Sequence, residues 1–242
     1  MATAPSKLFS GVKTVVFDLD DTLYAFDGGP APNADALRAL AAVAAPVLGV
    51  SADDFAAEVA ASLRAQLALV GRASPCYHSR AVRFGRMLEA HGLPLRHALD
   101  WTELYWKELF SRIEPAPGAA DLLRACRARG FRVGVGTDMT ALEQYRKLEA
   151  LGLLDLVDFV ASSEEAGAEK PGAALFALVV EKARCAPDEI LFVGDNLAKD
   201  ALGATAAGLR SVWLQPDPAK REEHPEVASV ASLADLLAIL KG

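Results

Sequence analysis

Val12 to Phe17 (VKTVVF) is a short, β-branched and nearly continuous apolar run that stops abruptly at Asp18. Such a run suits a strand covered on both faces, as in a parallel sheet. Phe131 to Gly136, Ile190 to Gly194 and Ser211 to Leu214 share this form, and Val157 to Ala161 is a weaker fifth run. Helical patterns separate the last four. Gly118 to Arg129 carries leucines at 122 and 123 and ends at Gly130, a suitable C-cap. Ala141 to Leu151 places Leu142, Tyr145, Leu148 and Leu151 at helical spacing before Gly152. Ala173 to Ala183 and Asp200 to Ala207 complete the alternation. This order predicts βαβ units and an α/β fold built on a parallel sheet of five or more strands.

Residues 26–114 break that rhythm. No strand pattern is visible there, and four helical stretches are expected at about 35–47, 51–70, 79–91 and 98–112. Gly49, Gly71 and Gly92-Leu93-Pro94 separate them. Pro30 and Pro32 mark the entry, and Pro115 and Pro117 mark the exit. The expectation is an α/β core made of residues 1–25 and 115–242, interrupted by an all-α insert over 26–114.

The chain has 242 residues, enough for one large domain or one domain with a lesser partner. Hydrophobic residues make up 52% and charged residues 24%, which argues against a disordered chain. The net charge of −7 disfavours a general binder of nucleic acid or of anionic membranes. Cys76, Cys126 and Cys185 are far apart, odd in number and form no CxxC, so they read as reduced thiols. Met1 to Ser10 lacks a basic segment followed by an apolar one, and the longest apolar stretches are too interrupted to span a bilayer. A soluble, cytoplasmic protein is expected.

The candidate chemistry sits where the strands end. Asp18, Asp20 and Asp21 follow the first run in DLDDT. Three carboxylates in four residues repel one another unless a cation is present, and the C-terminal ends of parallel strands are where ligand sites form. An acidic turn capping a helix is the other reading. A calcium loop is excluded, because positions 23 and 29 hold Leu23 and Gly29 instead of Gly and Glu. Gly194-Asp195-Asn196 and then Asp200 form a second acidic cluster after another run, and adjacent strands lie close enough for both clusters to share one ion. Gly136-Thr137-Asp138 adds a hydroxyl suited to a phosphate oxygen or, equally, to a helix N-cap. The sequence GVGTDM is not a dinucleotide fingerprint, since Met139 stands in place of the third glycine, and no Walker sequence exists. Lys170, followed by Pro171 in a position suited to a first helical turn, is either a solvated lysine or a cation that balances the carboxylates and clamps an anion.

In order and strand context, Asp18-x-Asp20-x-Thr22, Thr137, Lys170-Pro171 and Gly194-Asp195-x-x-x-x-Asp200 resemble the haloacid dehalogenase-like hydrolases. PAPGAADLL (115–123), QYRKLEALGL (144–153) and VGDNLAKDALGATAAGL (193–209) resemble the same family. The resemblance covers about 10–25 and 115–242. It implies a Rossmann-like three-layer α/β/α core with a helical cap in the family's first cap position. It further implies Asp18 as nucleophile, forming an aspartyl-phosphate, and Asp20 as general acid and then base. Asp18, Asp195 and the Asp20 backbone carbonyl would hold Mg²⁺. Thr137, Asp138 and Lys170 would lie at the substrate, with Thr22, Asn196 and Asp200 in support. Dehalogenases lack a carboxylate at the place of Asp20, because a halide leaves without a proton; an alkoxide needs one.

The resemblance therefore implies a phosphatase acting on a small phosphorylated metabolite. A phosphomutase or a non-catalytic binder on the same scaffold are the alternatives. A closing cap would exclude water, with Gly28-Gly29-Pro30 as a candidate hinge. Residues 72–86 hold Arg72, Arg80, Arg83 and Arg86 and no acidic residue, so Arg80 and Arg83 are candidates to touch an anionic part of the substrate. Trp101, Tyr105 and Trp106 are expected to pack cap helices together. His78, His91, His97 and His224 share no ligand spacing and receive no role. No feature specifies an oligomeric state.

Overall fold

The four residues of β1 (Thr14–Phe17) are all buried, because this strand lies at the centre of the sheet with helices on both faces. The computed structural model describes residues 8–26 and 31–242. The other strands are β2 (Arg132–Thr137), β3 (Phe159–Ser162), β4 (Ile190–Gly194), β5 (Arg210–Leu214) and β6 (Ser229–Val230). They pair in the order β3-β2-β1-β4-β5-β6, parallel throughout. The chain runs outward from β1 through β2 to β3, then returns to β4 on the other side of β1. Beside β1 the winding reverses, and a crevice opens there at the C-terminal strand ends.

Alternation along β1 divides the core. Val15 and Phe17 pack with Leu122 and Leu123 of α5 (Ala119–Ala128) and with Leu236 and Leu240 of α11 (Leu233–Lys241). Val16 faces the opposite side and packs with Phe176 and Val179 of α8 (Ala173–Ala183). The register sets Phe17 beside Val135 of β2 and Val193 of β4, so Asp18, Gly136 and Gly194 emerge level with one another. Gly136 is required by this closeness: a Cβ there would lie 2.7 Å from the Phe192 ring.

Four helices lie between β1 and α5: α1 (Pro32–Leu48), α2 (Ala52–Val70), α3 (Arg80–Ala90) and α4 (Arg96–Phe110). Ser51 and Ser79 start α2 and α3 by accepting from the N–H groups of Asp54 and Val82. Phe55, Phe84, Trp101 and Tyr105 form their buried centre, with the Phe84 and Tyr105 rings 6.5 Å apart edge to face and Trp101 6.1 Å from Phe84. Where the insert leaves and rejoins the core, the Ala116 N–H donates to the Leu23 carbonyl at 2.8 Å. The hinge expected at Gly28-Gly29-Pro30 lies outside the described residues.

The six strands meet the expectation of five or more, and β6, with two residues, is too short to show a pattern of its own. The sequence reading is corrected at several places. The stretch from Asp200 is not one regular helix: Leu197–Leu202 forms a π-helical turn, in which the Ala201 N–H reaches back five residues to the Asn196 carbonyl, and only Gly203–Ala206 (α9) is α-helical. Pro171 stands before its helix, since α8 begins at Ala173 with Gly172 as N-cap. Among the described residues no single helix is long and apolar enough to cross a membrane, and the three cysteines are free.

Candidate active site

Asp18 follows β1 directly, and its buried carboxylate meets the Lys170 ammonium at 2.7 Å. Lys170 is equally close to Asp200, at 2.7 Å, and donates to the Gly136 carbonyl at 3.3 Å. The backbone N–H of Lys170 is held by Asp138 at 2.8 Å. Asp200 is fully buried and accepts from the Asn196 N–H at 2.9 Å through its other oxygen. The first turn after Asn196 brings Asp200 back under it, with the Asp200 N–H donating to the Asn196 carbonyl at 2.8 Å. A Cβ at Gly194 would overlap the Asp200 carboxyl, so the strand must end in glycine.

Asp195, at the end of β4, is fixed from both sides. Its N–H donates to the Thr22 hydroxyl at 3.1 Å, and its carbonyl accepts from the Trp213 indole at 2.7 Å. Thr22 sits in a tight turn that Asp21 permits by adopting φ 60°, a conformation aspartate tolerates better than most residues. Thr137 ends β2 and is not a helix cap, since α6 (Ala141–Ala150) begins after Thr140.

Carboxylate oxygens of Asp18, Asp195 and Asp200 lie within 4.8 Å of one another. Burial pushes the Asp18 carboxyl well above its ordinary range; Lys170 opposes this, and Asp200 and Asp195 reinforce it. Burial also lifts Asp195 to about 6, with Asp200 and Asp21 contributing. Burial alone would lower Lys170, but Asp18 and Asp200 outweigh it and hold the ammonium protonated. Three carboxylates therefore share one cation, and the surplus negative charge falls on Asp18 and Asp195. Both oxygens of Asp200 already have partners. The surplus and the all-oxygen donor set fit a hard divalent cation held by Asp18 and Asp195.

The Asp20 carboxylate turns away from this cluster. Lys147 reaches it at 2.5 Å, Gln144 at 2.8 Å, and the Tyr24 hydroxyl also donates to it. Burial works against the Asp20 charge, yet Lys147, Tyr24 and Gln144 together hold its pKa below the ordinary value. Lys147 is completely buried, 5.1 Å from the Phe26 ring centre and 5.9 Å from that of Trp106. Burial lowers its pKa, and Asp20 opposes that. Gln144 also donates to the Thr137 hydroxyl at 2.6 Å, tying the two sides of the site together. Sequence reading missed Gln144, Lys147 and Tyr24. The available signal was the spacing of Gln144 and Lys147, one turn apart on the face of α6 that looks toward the strand ends.

These groups line a cavity of about 270 Å³ that contains Asp18, Asp20, Thr137, Lys170, Asp195, Asn196 and Asp200. Arg80 and His78 of the insert form part of its wall; Arg83 does not, and donates instead to the Tyr77 carbonyl at 2.9 Å. Asp138 also lines the cavity, but its carboxylate is engaged by the Lys170 N–H and by Lys199 at 2.7 Å, so it positions Lys170. A larger cavity of about 530 Å³ meets the first at Asp21 and Asp195. The insert touches the core beside Lys170: Glu169 approaches His78 at 2.7 Å, accepts from Tyr77 at 3.2 Å, and donates its N–H to the Ala73 carbonyl at 3.0 Å.

The sequence profile of the haloacid dehalogenase-like hydrolases matches residues 12–208. The chain is 34% identical over 221 residues to a ribulose-1,5-bisphosphate 5-phosphatase of Halopiger xanaduensis, covering 90% of each. It is 30% identical over 207 residues to a glyceraldehyde 3-phosphate phosphatase of Methanopyrus kandleri, covering 84% of each. Among solved structures, a 2-haloacid dehalogenase of Pseudomonas syringae superposes with a TM-score of 0.73 at 25% identity, over 95% of this chain and 98% of that one. A phosphatase of Thermococcus onnurineus shares the fold with a TM-score of 0.71 at 24% identity, over 96% and 99%. With the profile spanning β1 to β4 and a phosphatase relative aligned over nine-tenths of its length, the chain belongs to the haloacid dehalogenase-like hydrolases and is a phosphatase of that family.

Proposed function

We propose that the chain hydrolyses a small phosphate monoester through an aspartyl-phosphate on Asp18, with Mg²⁺ held by Asp18, Asp195 and the Asp20 backbone carbonyl. The observation that carries this reading is the Asp18 carboxylate 2.7 Å from Lys170, in one cavity with Thr137, Asp195 and Asp20. Bound Mg²⁺ supplies charge neutralisation for the phosphoryl group and for the crowded carboxylates. Asp18 attacks phosphorus in line, while Lys170 and the Thr137 hydroxyl hold phosphoryl oxygens. Gln144 donates to the Thr137 oxygen and so orients that hydroxyl. Entry of a phosphoryl dianion raises the Asp20 pKa, because like charge disfavours the carboxylate, and Asp20 takes up a proton from solvent as the substrate binds. Asp20 then gives its proton to the leaving alkoxide and, ionised again beside Lys147, takes one from the water that releases phosphate.

The relatives act, by their names, on a pentose bisphosphate and a triose phosphate. A cavity of about 270 Å³ suits substrates of that size. The test is phosphate release from a panel of small phosphorylated metabolites and from p-nitrophenyl phosphate. Turnover is expected with Mg²⁺, to stop on removal of the metal with EDTA, and to return when Mg²⁺ is added back. Undiminished turnover in the chelated, desalted enzyme would refute the metal assignment. Isomer formation without phosphate release would indicate a mutase instead.

Lys147 acts through Asp20. Lys147→Met keeps the volume and removes the charge, so kcat is expected to fall about 10-fold to 100-fold with little change in KM. The acid limb of the kcat–pH profile is expected to move to higher pH, because the variant lacks the cation that keeps Asp20 below the usual carboxylate range. A profile that stays in place would show Lys147 to be a packing residue only.

A further inference from the structure

We propose that Arg80 is the receptor for a second anionic group on the substrate, so that the preferred substrates are phosphate monoesters carrying another phosphate or a carboxylate at the far end. This rests on the phosphatase reading and adds the substrate class to it. Arg80 is 7% exposed and lines the same cavity as Asp18. Its guanidinium stacks over Tyr105 and Trp106, with ring centres at 4.9 and 5.4 Å. It donates to the His78 carbonyl at 2.8 Å and to the Tyr105 hydroxyl at 3.0 Å; Tyr105 in turn donates to Asn33 at 2.7 Å. This chain of bonds fixes the direction of the guanidinium. The Arg80 Nε has no partner.

Among the described residues no carboxylate pairs with Arg80. Burying such a charge is costly unless it is compensated. Its surroundings add to the imbalance. Arg83 is buried behind it and also lacks a carboxylate; burial, with Arg80 nearby, draws the Arg83 pKa down to about 9. Lys147 is the third buried cation, and its partner is Asp20. Arg80 and Arg83, both on the insert, thus lie buried without a carboxylate, near a Lys147 whose charge Asp20 already answers, opposite a cluster with surplus negative charge. A divalent cation answers that cluster, and the insert side is left complementary to an anion. An ester of a neutral alcohol offers nothing there. A phosphate or carboxylate matches the guanidinium fork.

The test compares kcat/KM within two matched pairs: a pentose bisphosphate against the pentose monophosphate, and phosphoglycerate against glycerol phosphate. The wild-type enzyme is expected to prefer the doubly anionic member of at least one pair by about 10-fold to 100-fold, and the pair that responds identifies the second group as phosphate or carboxylate. Arg80→Gln is expected to erase most of that preference, chiefly through KM, and Arg80→Lys to retain part of it. A binding readout runs beside this: the favoured substrate should raise the Tm of Asp18→Asn and not that of Asp18→Asn/Arg80→Gln. Equal treatment of both members of both pairs by the wild-type enzyme overturns the proposal, even where Arg80→Gln does not fold. Survival of the preference in Arg80→Gln overturns it as well. Failure to hydrolyse even p-nitrophenyl phosphate would bring down the phosphatase reading and this inference with it, whereas turnover of that ester without any preference defeats this inference alone.

Discussion

Asp18→Asn is expected to reduce phosphate release by at least about 10³-fold while the protein stays folded. Asparagine has the shape of aspartate and cannot form the acyl phosphate. The fold loses little, because Lys170 retains Asp200 at 2.7 Å. It also sheds a liability. The folded-state pKa of Asp18 lies above its unfolded value, so the metal-free native state loses stability as pH rises through that interval. Asparagine removes the charge responsible, and in EDTA near neutral pH the variant should melt at or above the wild-type temperature. Phosphate detection and thermal melting on one preparation check both parts. Turnover near the wild-type level would show that Asp18 is not the nucleophile.

Lys170→Met carries the largest expected cost to stability. Its side chain is 2% exposed and is the only ammonium within ion-pair distance of Asp18 and Asp200 among the described residues. Removing it strands buried carboxylates, a loss of about 3–5 kcal/mol and a fall in Tm of roughly 10 °C for a chain of this size. Adding Asp200→Asn should return part of that loss, since one stranded charge disappears. Denaturant melts of the two single variants and the double variant measure the coupling. Additive losses would show that Lys170 is not the counter-ion of this cluster. Phosphate release should vanish in Lys170→Met in either case, because Asp18 and the phosphoryl oxygens lose their cation.

The central strands were legible because burial on both faces leaves β-branched, unbroken runs, as in Val15 to Phe17. Asp18 and Asp195 stand out because each carboxylate directly follows such a run, whereas Lys170, eight residues beyond β3, stands out only in company with them. Gln144 and Lys147 do not. In QYRKLEALGL, Lys147 reads as one more polar position on an amphipathic helix, and its burial comes from Phe26 and Trp106, which are distant in sequence. The π-helical turn at Leu197–Leu202 escaped for a similar reason: its extra residue per turn leaves no mark on hydrophobic spacing, although the segment carries Asp200, the partner of Lys170. Glu169 and His78 each look solvated in isolation, and only the folded chain brings them together.

The contact at Glu169 ties the insert to the core beside Asp18. Glu169 grips the turn carrying Tyr77 and His78, and the next residue in the chain is the lysine that neutralises Asp18. A displacement of the insert would load this junction, one peptide unit from that ammonium. On the mechanism proposed above, this junction would link the position of the insert to the charge on Asp18.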